Sequence, residues 1–534
     1  MKSRPWPVRG LLLDPARLIE RHEYYLELLD DMARWGLNTL WWHFTDDQGF
    51  MLKLRGHPEL ATPHAFTIAE MKDFLSAARR RGIDVAPELE SLGHARCITA
   101  LPQYAGLHNG DELGFNAICP SHPRTLPLLE ELIVEVAGIF DSPYFHAGLD
   151  EVKLGDCPRC ARAAAGRPRW WVYAQHLKAV HSIVRSLGKE LIVWADHVEH
   201  DPEMLDALPR DLILAHWHYT QVPVEHIQRS LRAGFRVIGC PALCHWGDVI
   251  MTNAANYENM DAMAEHVARL SGQFGDRVLG IVNTNWANWR GLRDAYRPAM
   301  AYTGAMLAAQ GPVDKLTFLR QYAKGQFGLG APAVAEAIWT LHQAMPVRQE
   351  LAAALFDSPA DMVEALALAA RPEYAARGQK LPAAVETLAA AAAKARKNRP
   401  ALEAIVLAGR VAELCCRRPA QLASALEAYR LAEHRRDYGH AAEGVLPALK
   451  QAASTLRLMD RELADVTGRA IAEWGRTRYK NDAKKGLGGA WRASGDALLV
   501  RLDQGRRFGS ALAKRFAADV AAYRKTGRLP LTAE

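Results

Sequence analysis

The sequence predicts an α/β chain: a TIM (β/α)8 barrel over residues 1–310, followed by an all-helical C-terminal domain over residues 311–534. Three observations predict it. Eight short apolar runs alternate with amphipathic segments in the first 310 residues, the count of a closed parallel barrel. Nearly every run ends in polar or aromatic residues, and the C-terminal strand ends form the active face of that fold. Beyond about residue 310 the texture turns Ala-, Leu- and Arg-rich, with helical spacing and no strand pattern. A doubly wound open sheet is the structural alternative, but no Gly-x-Gly-x-x-Gly follows the first run.

The runs lie at 10–14, 38–44, 83–88, 144–148, 191–196, 212–217, 236–241 and 278–283. Asp14 and Arg17 follow the first, His43 with Asp46 and Asp47 the second, Glu88 with Glu90 the third. Asp150 and Glu151, then Trp194 and Asp196, then Trp217 and Tyr219 follow the next three. His245 with Asp248, and Trp286 with Asn288, complete the set. A core accounts for one buried Trp or His, but not for such groups at eight successive strand ends. Helices are predicted over 24–35, 68–81, 126–140, 171–187, 260–270 and 299–307. The first has apolar residues at Tyr25, Leu28, Leu29, Met32 and Trp35, one face of a helix. In the second domain the helical segments are 333–343, 383–395, 402–417, 422–433, 446–463 and 508–523. Ala-rich helices pack closely, which serves a bundle or a homodimer surface. Lys484 to Gly489 reads as a loop without the Lys-Ser/Thr ending of a phosphate-binding loop.

At 534 residues, the chain has room for two or more cores. No apolar run approaches the roughly 18 residues a membrane helix needs. The N-terminal residues carry no apolar signal core, and eight cysteines fall short of a disulfide scaffold, so a cytoplasmic location is expected. The net charge is +6, and residues 431–534 hold 20 Lys+Arg against 12 Asp+Glu. A solvated helix face accounts for that excess more simply than nucleic acid or an acidic partner.

Tyr144-Phe145-His146-Ala147-Gly148-Leu149-Asp150-Glu151 carries the most chemistry. Neighbours on a regular strand point to opposite faces, so two adjacent acids share one pocket only if the backbone leaves strand geometry. Gly148 permits that. Two acids held close cannot ionise independently, which yields one carboxylate and one proton donor, the pair that glycoside cleavage requires. A strand end with two solvated acids is the plainer reading of a bare Asp-Glu pair.

These stretches resemble the family 20 glycoside hydrolases, the β-N-acetylhexosaminidases, in the shorter bacterial and hexosaminidase-D-like branch. Arg9 to Arg17 is similar to that family's first-strand motif, His43 to Gly49 to its second and Pro87 to His94 to its third. His146-Ala147-Gly148-Leu149-Asp150-Glu151 resembles its His-x-Gly-Gly-Asp-Glu signature, with Leu149 replacing the second glycine. The resemblance implies an exo-acting retaining mechanism on a small carbohydrate, in which the substrate's 2-acetamido oxygen attacks the anomeric carbon. It makes Glu151 the general acid/base and Asp150 the partner of the acetamide N–H. It makes Arg17 a clamp on sugar hydroxyls, Asp46 a second-strand acid near the site, and His94 an orienting group. Trp194, Trp217 and Trp286 become aromatic walls. No cofactor and no metal is implied.

Three departures stand out. The family's Tyr-x-Asp after strand seven reads His245-Trp246-Gly247-Asp248, which leaves the acetamide-contacting tyrosine unassigned; Tyr219 is a candidate substitute. Trp-x-Glu after strand eight reads Trp286-Ala287-Asn288, which retains hydrogen bonding without charge. Glu90 stands where aspartate is usual. These changes also motivate the alternative of a degenerate barrel that binds carbohydrate, or regulates, without turnover. Cys157-Pro158-Arg159-Cys160 reads as a structural loop; half a metal site or a redox pair are its alternatives, with His197, His200, Cys240 and Cys244 as candidate partners.

Overall fold

The computed structural model describes residues 5–110, 117–154, 157–286, 288–438, 442–479 and 497–529. Eight parallel strands close a barrel: β1 Val8–Leu13, β2 Thr39–His43, β3 Asp84–Glu88, β4 Tyr144–His146, β5 Glu190–Trp194, β6 Ile213–Trp217, β7 Arg236–Cys240 and β8 Val278–Asn285. Closure is made by β1 on β8, with Val8 opposite Gly280 and Leu13 opposite Asn285. All eight expected runs are strands. Side chains alternate between two environments because successive Cβ atoms point to opposite faces. In β2, Trp41 turns into the barrel with Leu12, Ile192, Ile213 and Val282, whereas Leu40 and Trp42 turn out to the helical shell. A ninth short strand, Ala242–Cys244, pairs with the end of β8 and carries the chain to His245.

The shell contains the six expected helices, at His22–Arg34, Ile68–Arg80, Thr125–Ile139, Arg169–Ser186, Ala254–Phe274 and Arg297–Ala309. A further helix, Val224–Arg232, follows β6; it is only nine residues long and mostly polar, and it buries Ile227, Ser230 and Leu231 on one face. Thr67 caps Ile68–Arg80 in a reciprocal box with Glu70, which satisfies orphan donors of the first turn.

The C-terminal region is helical. Segments 402–417 and 422–433 belong to one helix, Arg399–Asp437, with Pro419 inside it. Helices Lys315–Phe327, Arg348–Ala354 and Pro359–Ala369 were not marked by the sequence pattern. One apolar cluster runs from the barrel shell into Phe318, Ile338, Val385 and Ile405, and a second joins Leu422, Leu449, Leu456 and Phe516. The tail also meets the barrel mouth. Arg478 is buried, its Nε lies 3.0 Å from Glu20, and its Nη1 donates to Gly291 O at 2.9 Å. Arg476 bonds Asp294 and Glu473. Arg478 is therefore a buried ion-pair partner rather than part of the solvated face the charge count suggested, whereas Arg476 remains exposed. The Lys484–Gly489 stretch lies outside the described residues. No described helix is long and apolar enough to cross a membrane.

Candidate active site

The strand β4 stops at His146, and the backbone then leaves extended geometry. Gly148, Leu149 and Glu151 all have left-handed φ, at 64°, 73° and 51°. For Leu149 and Glu151 this costs on the order of 1 kcal/mol each, so packing and hydrogen bonds must hold the turn. They do. Gly148 N donates to His146 Nδ1 at 3.0 Å, and Tyr173 Oη donates to Leu149 O at 2.9 Å. Glu151 N donates to Asp196 Oδ2 at 2.9 Å, and Val152 N to His197 Nε2 at 3.1 Å. Leu149 is fully buried. The acids are thereby turned onto one side.

They open into a pocket whose empty space, including the part open to solvent, is about 560 Å³. Its lining includes nine of the expected residues: Arg17, Asp46, His94, Asp150, Glu151, Trp194, Trp217, Tyr219 and Trp286. It also includes His43, His245 and Trp246, which the sequence did not assign to substrate. His43 was legible as a polar strand end. His245 was likewise named as a polar strand end; Trp246 reaches the pocket through the added strand, which no repeat of the barrel pattern foretells. Asp248 is not part of the lining. Its carboxylate accepts from His245 N at 2.7 Å and Asn256 Nδ2 at 2.9 Å and also bonds Asn253, so it shapes the loop that presents His245 and Trp246. The Asn288 side chain lies outside what the structure describes.

The floor is a charge network. Arg17 Nη1 meets Asp14 at 2.9 Å and its Nη2 meets Asp46 at 2.6 Å. His43 Nε2 bonds the same Asp46 oxygen at 2.9 Å, and its Nδ1 lies 3.1 Å from Glu88. Trp194 Nε1 donates to Glu88 at 2.8 Å, which fixes that indole upright. Burial opposes the charge on His43, but Glu88 and Asp46 outweigh it and raise the imidazole to about 10. His94 follows the same logic: burial opposes, and Asp46, Asp150 and a hydrogen bond to Glu151 raise it to about 9. Burial, then Asp150, Glu88 and Asp46, push Glu90 well above the usual carboxylate range.

His94 Nε2 bonds Glu151 Oε2 at 3.2 Å and lies 3.6 Å from Asp150 Oδ2. One oxygen of each acid and a His94 nitrogen fall within 4.8 Å of one another. Burial lifts Asp150; His94 pulls it back, and Asp196, Glu151 and Glu88 raise it further, to about 7. The sequence reading made Asp150 the standing anion. Held near 7, it is poised between its two forms instead. Two aromatic walls lean on each other, with Trp286 Nε1 donating to Tyr219 Oη at 2.6 Å. Arg17 stacks 5.2 Å from the Trp286 ring, which keeps its fork aimed across the pocket.

Several His and acid groups here approach metal-ligand spacing, as do Glu199, His216 and His218 behind β6. In each set the imidazoles and acids already pair with one another. The Cys157–Cys160 pair meets none of its expected partners: Cys240 lies inside the barrel and His197 serves Val152, while Cys119 comes to both thiols.

The sequence model of one family, described as glycosyl hydrolase family 20, catalytic domain, matches residues 6–288. A β-hexosaminidase of Vibrio furnissii is 26% identical over 292 residues, 47% of this chain and 46% of that protein. A β-N-acetylhexosaminidase of Cellulomonas fimi is 26% identical over 251 residues, 44% of this chain and 47% of that protein. The chain spans about half the length of the curated relatives it matches. A crystal structure of a β-N-acetylhexosaminidase superposes with a TM-score of 0.50 at 20% identity, covering 61% of this chain and 77% of that one, a likeness of fold.

Proposed function

The chain belongs to glycosyl hydrolase family 20, and from that premise we propose that it is an exo-acting, retaining β-N-acetylhexosaminidase. Its substrate is a terminal, non-reducing β-linked GlcNAc or GalNAc residue. The observation that carries the reading is the turn after β4, which brings Asp150 and Glu151 together beside His94 in a tryptophan-lined pocket.

In the proposed reaction the substrate's acetamide oxygen attacks the anomeric carbon as the glycosidic C–O bond breaks. Glu151 gives its proton to the departing oxygen. The resulting oxazolinium carries positive charge near its ring nitrogen, whose N–H points at Asp150. That hydrogen bond and charge favour the anionic form of Asp150, so a group held near 7 becomes a full carboxylate when substrate binds. Glu151 then accepts a proton from water, which adds to the anomeric carbon and opens the ring. Two inversions give net retention. Trp194, Trp217 and Trp286 exclude water and face the apolar side of the sugar. Arg17, already tied to Asp14 and Asp46, offers a fixed fork to vicinal hydroxyls of the terminal sugar. Tyr219, on the Trp286 wall, is the hydroxyl assigned to the acetamide oxygen.

The test is turnover of aryl β-glycosides of GlcNAc, GalNAc and glucose. The proposal expects release from the two 2-acetamido sugars and none from glucose. Equal release from glucose contradicts acetamide participation. Calorimetric binding of GlcNAc with no turnover of any glycoside favours the second reading, a carbohydrate-binding barrel, which His245-Trp246 in place of the family's tyrosine motivates.

A further inference from the structure

Cys119, Cys157 and Cys160 are buried together, at 0%, 5% and 4% exposure. They are 38 and 41 residues apart in sequence for the Cys119 pairs, so the fold, not local spacing, assembles them. Cys119 Sγ lies 3.4 Å from Cys157 Sγ and 3.8 Å from Cys160 Sγ, and the three sulfurs all fall within 4.8 Å of one another. A disulfide would need about 2.05 Å. A tetrahedral zinc with Zn–S bonds of about 2.3 Å sets neighbouring sulfurs about 3.8 Å apart. The observed spacing fits the second geometry and not the first.

We propose that Cys119, Cys157 and Cys160 form a structural zinc site that clamps the loop carrying the catalytic acids. The fourth ligand is water or a group outside this trio. Among the described residues, no further His, Cys, Asp or Glu atom belongs to the same set. Each thiol releases its proton on coordination, because the thiolate is the form that binds a metal. Thiolate donors select a soft or borderline cation such as zinc over magnesium or calcium.

The placement gives the site its purpose. Cys157 follows Glu151 by six positions. Cys119 belongs to the loop after β3, whose Ile118 N donates to Leu92 O at 2.8 Å and whose Asn109 Nδ2 holds Lys153 O at 2.9 Å. Thr125 Oγ1 anchors Cys119 O at 2.7 Å to the start of the next helix. A cation joining these cysteines ties the β3 and β4 loops together close to the strained turn at Leu149 and Glu151. The proposal is independent of which sugar the pocket takes.

Metal content of the full chain, purified under reducing conditions without chelator, tests it. We expect about one zinc per chain by mass spectrometry, lost in Cys119→Ser with Cys160→Ser and retained in Cys415→Ser, whose thiol is buried elsewhere. If the double variant fails to fold, cadmium exchange into the wild-type chain decides: a thiolate-to-cadmium charge-transfer band is expected. Wild-type protein that takes up neither zinc nor cadmium overturns the proposal. A disulfide between two of the three cysteines in the intact protein also overturns it.

Discussion

Glu90 closes directly over Gly148: a Cβ built on Gly148 would overlap the Glu90 Cδ and both carboxylate oxygens. The acid-bearing turn is therefore packed against a buried side chain, and the Gly148 φ of 64° adds a second demand for glycine. Gly148→Ala is expected to destabilise the chain by about 1–3 kcal/mol, the usual cost of overpacking a full site, and to abolish turnover. Thermal unfolding and aryl-glycoside assays measure both. A variant with wild-type melting temperature and rate would show that the turn is free to move.

Glu151→Gln removes the proton donor while preserving shape. For a substrate with a poor leaving group, kcat should fall roughly 10²–10⁴-fold, the usual contribution of a positioned acid. An aryl leaving group of low pKa needs little protonation, so its first step should fall much less and water attack should become limiting. A burst of phenol release, followed by slow turnover, is the expected trace in stopped-flow.

The buried carboxyl of Asp150 sets a pH dependence with a definite sign. Its pKa rises from 3.8 to about 7 on folding, so the folded chain holds the proton more tightly. That group's contribution to stability is full below about pH 4 and is lost as pH rises towards 7. Asp150→Asn should remove this slope from chemical denaturation measured against pH. Catalysis runs the other way, because the acetamide requires the anion. The kcat/KM profile should climb to a plateau with an apparent pKa of about 7, and the kcat limb should lie at lower pH, since bound substrate favours ionisation.

Tyr219 accepts from Trp286 Nε1 and lines the pocket, which fits it to the acetamide oxygen. Tyr219→Phe should lower kcat by roughly 10², as loss of an oxyanion donor does, with KM little changed. Steady-state kinetics on the aryl GlcNAc substrate measure it, alongside circular dichroism to confirm the fold. An unchanged kcat would reassign that contact to His245.

The barrel was legible because its strands are buried on both faces and read as continuous apolar runs such as Leu191-Ile192-Val193-Trp194. The acids were legible because two adjacent carboxylates after Gly148 are chemically conspicuous. Helix Val224–Arg232 was not, since it is nine residues long and mostly polar, so its apolar face of Val224, Ile227 and Leu231 spans barely two turns. Trp246 was missed because it is more than a third exposed, and its reach into the pocket depends on the Asp248 network that folds its loop. Cys119 could not be joined to Cys157 from spacing alone, because the contact depends on how the β3 and β4 loops cross. The charge state of Asp150 was also beyond the sequence: it follows from burial and the opposing pull of His94 and three acids.

The most direct test of the central claim is the effect of fluorinating the substrate's N-acetyl group on kcat/KM. Fluorine makes the acetamide oxygen a poorer nucleophile while barely changing its size. If that oxygen attacks the anomeric carbon beside Asp150 and Glu151, the rate falls steeply from acetyl through mono-, di- and trifluoroacetyl. A flat series would contradict the account and return the role of nucleophile to the protein or to water.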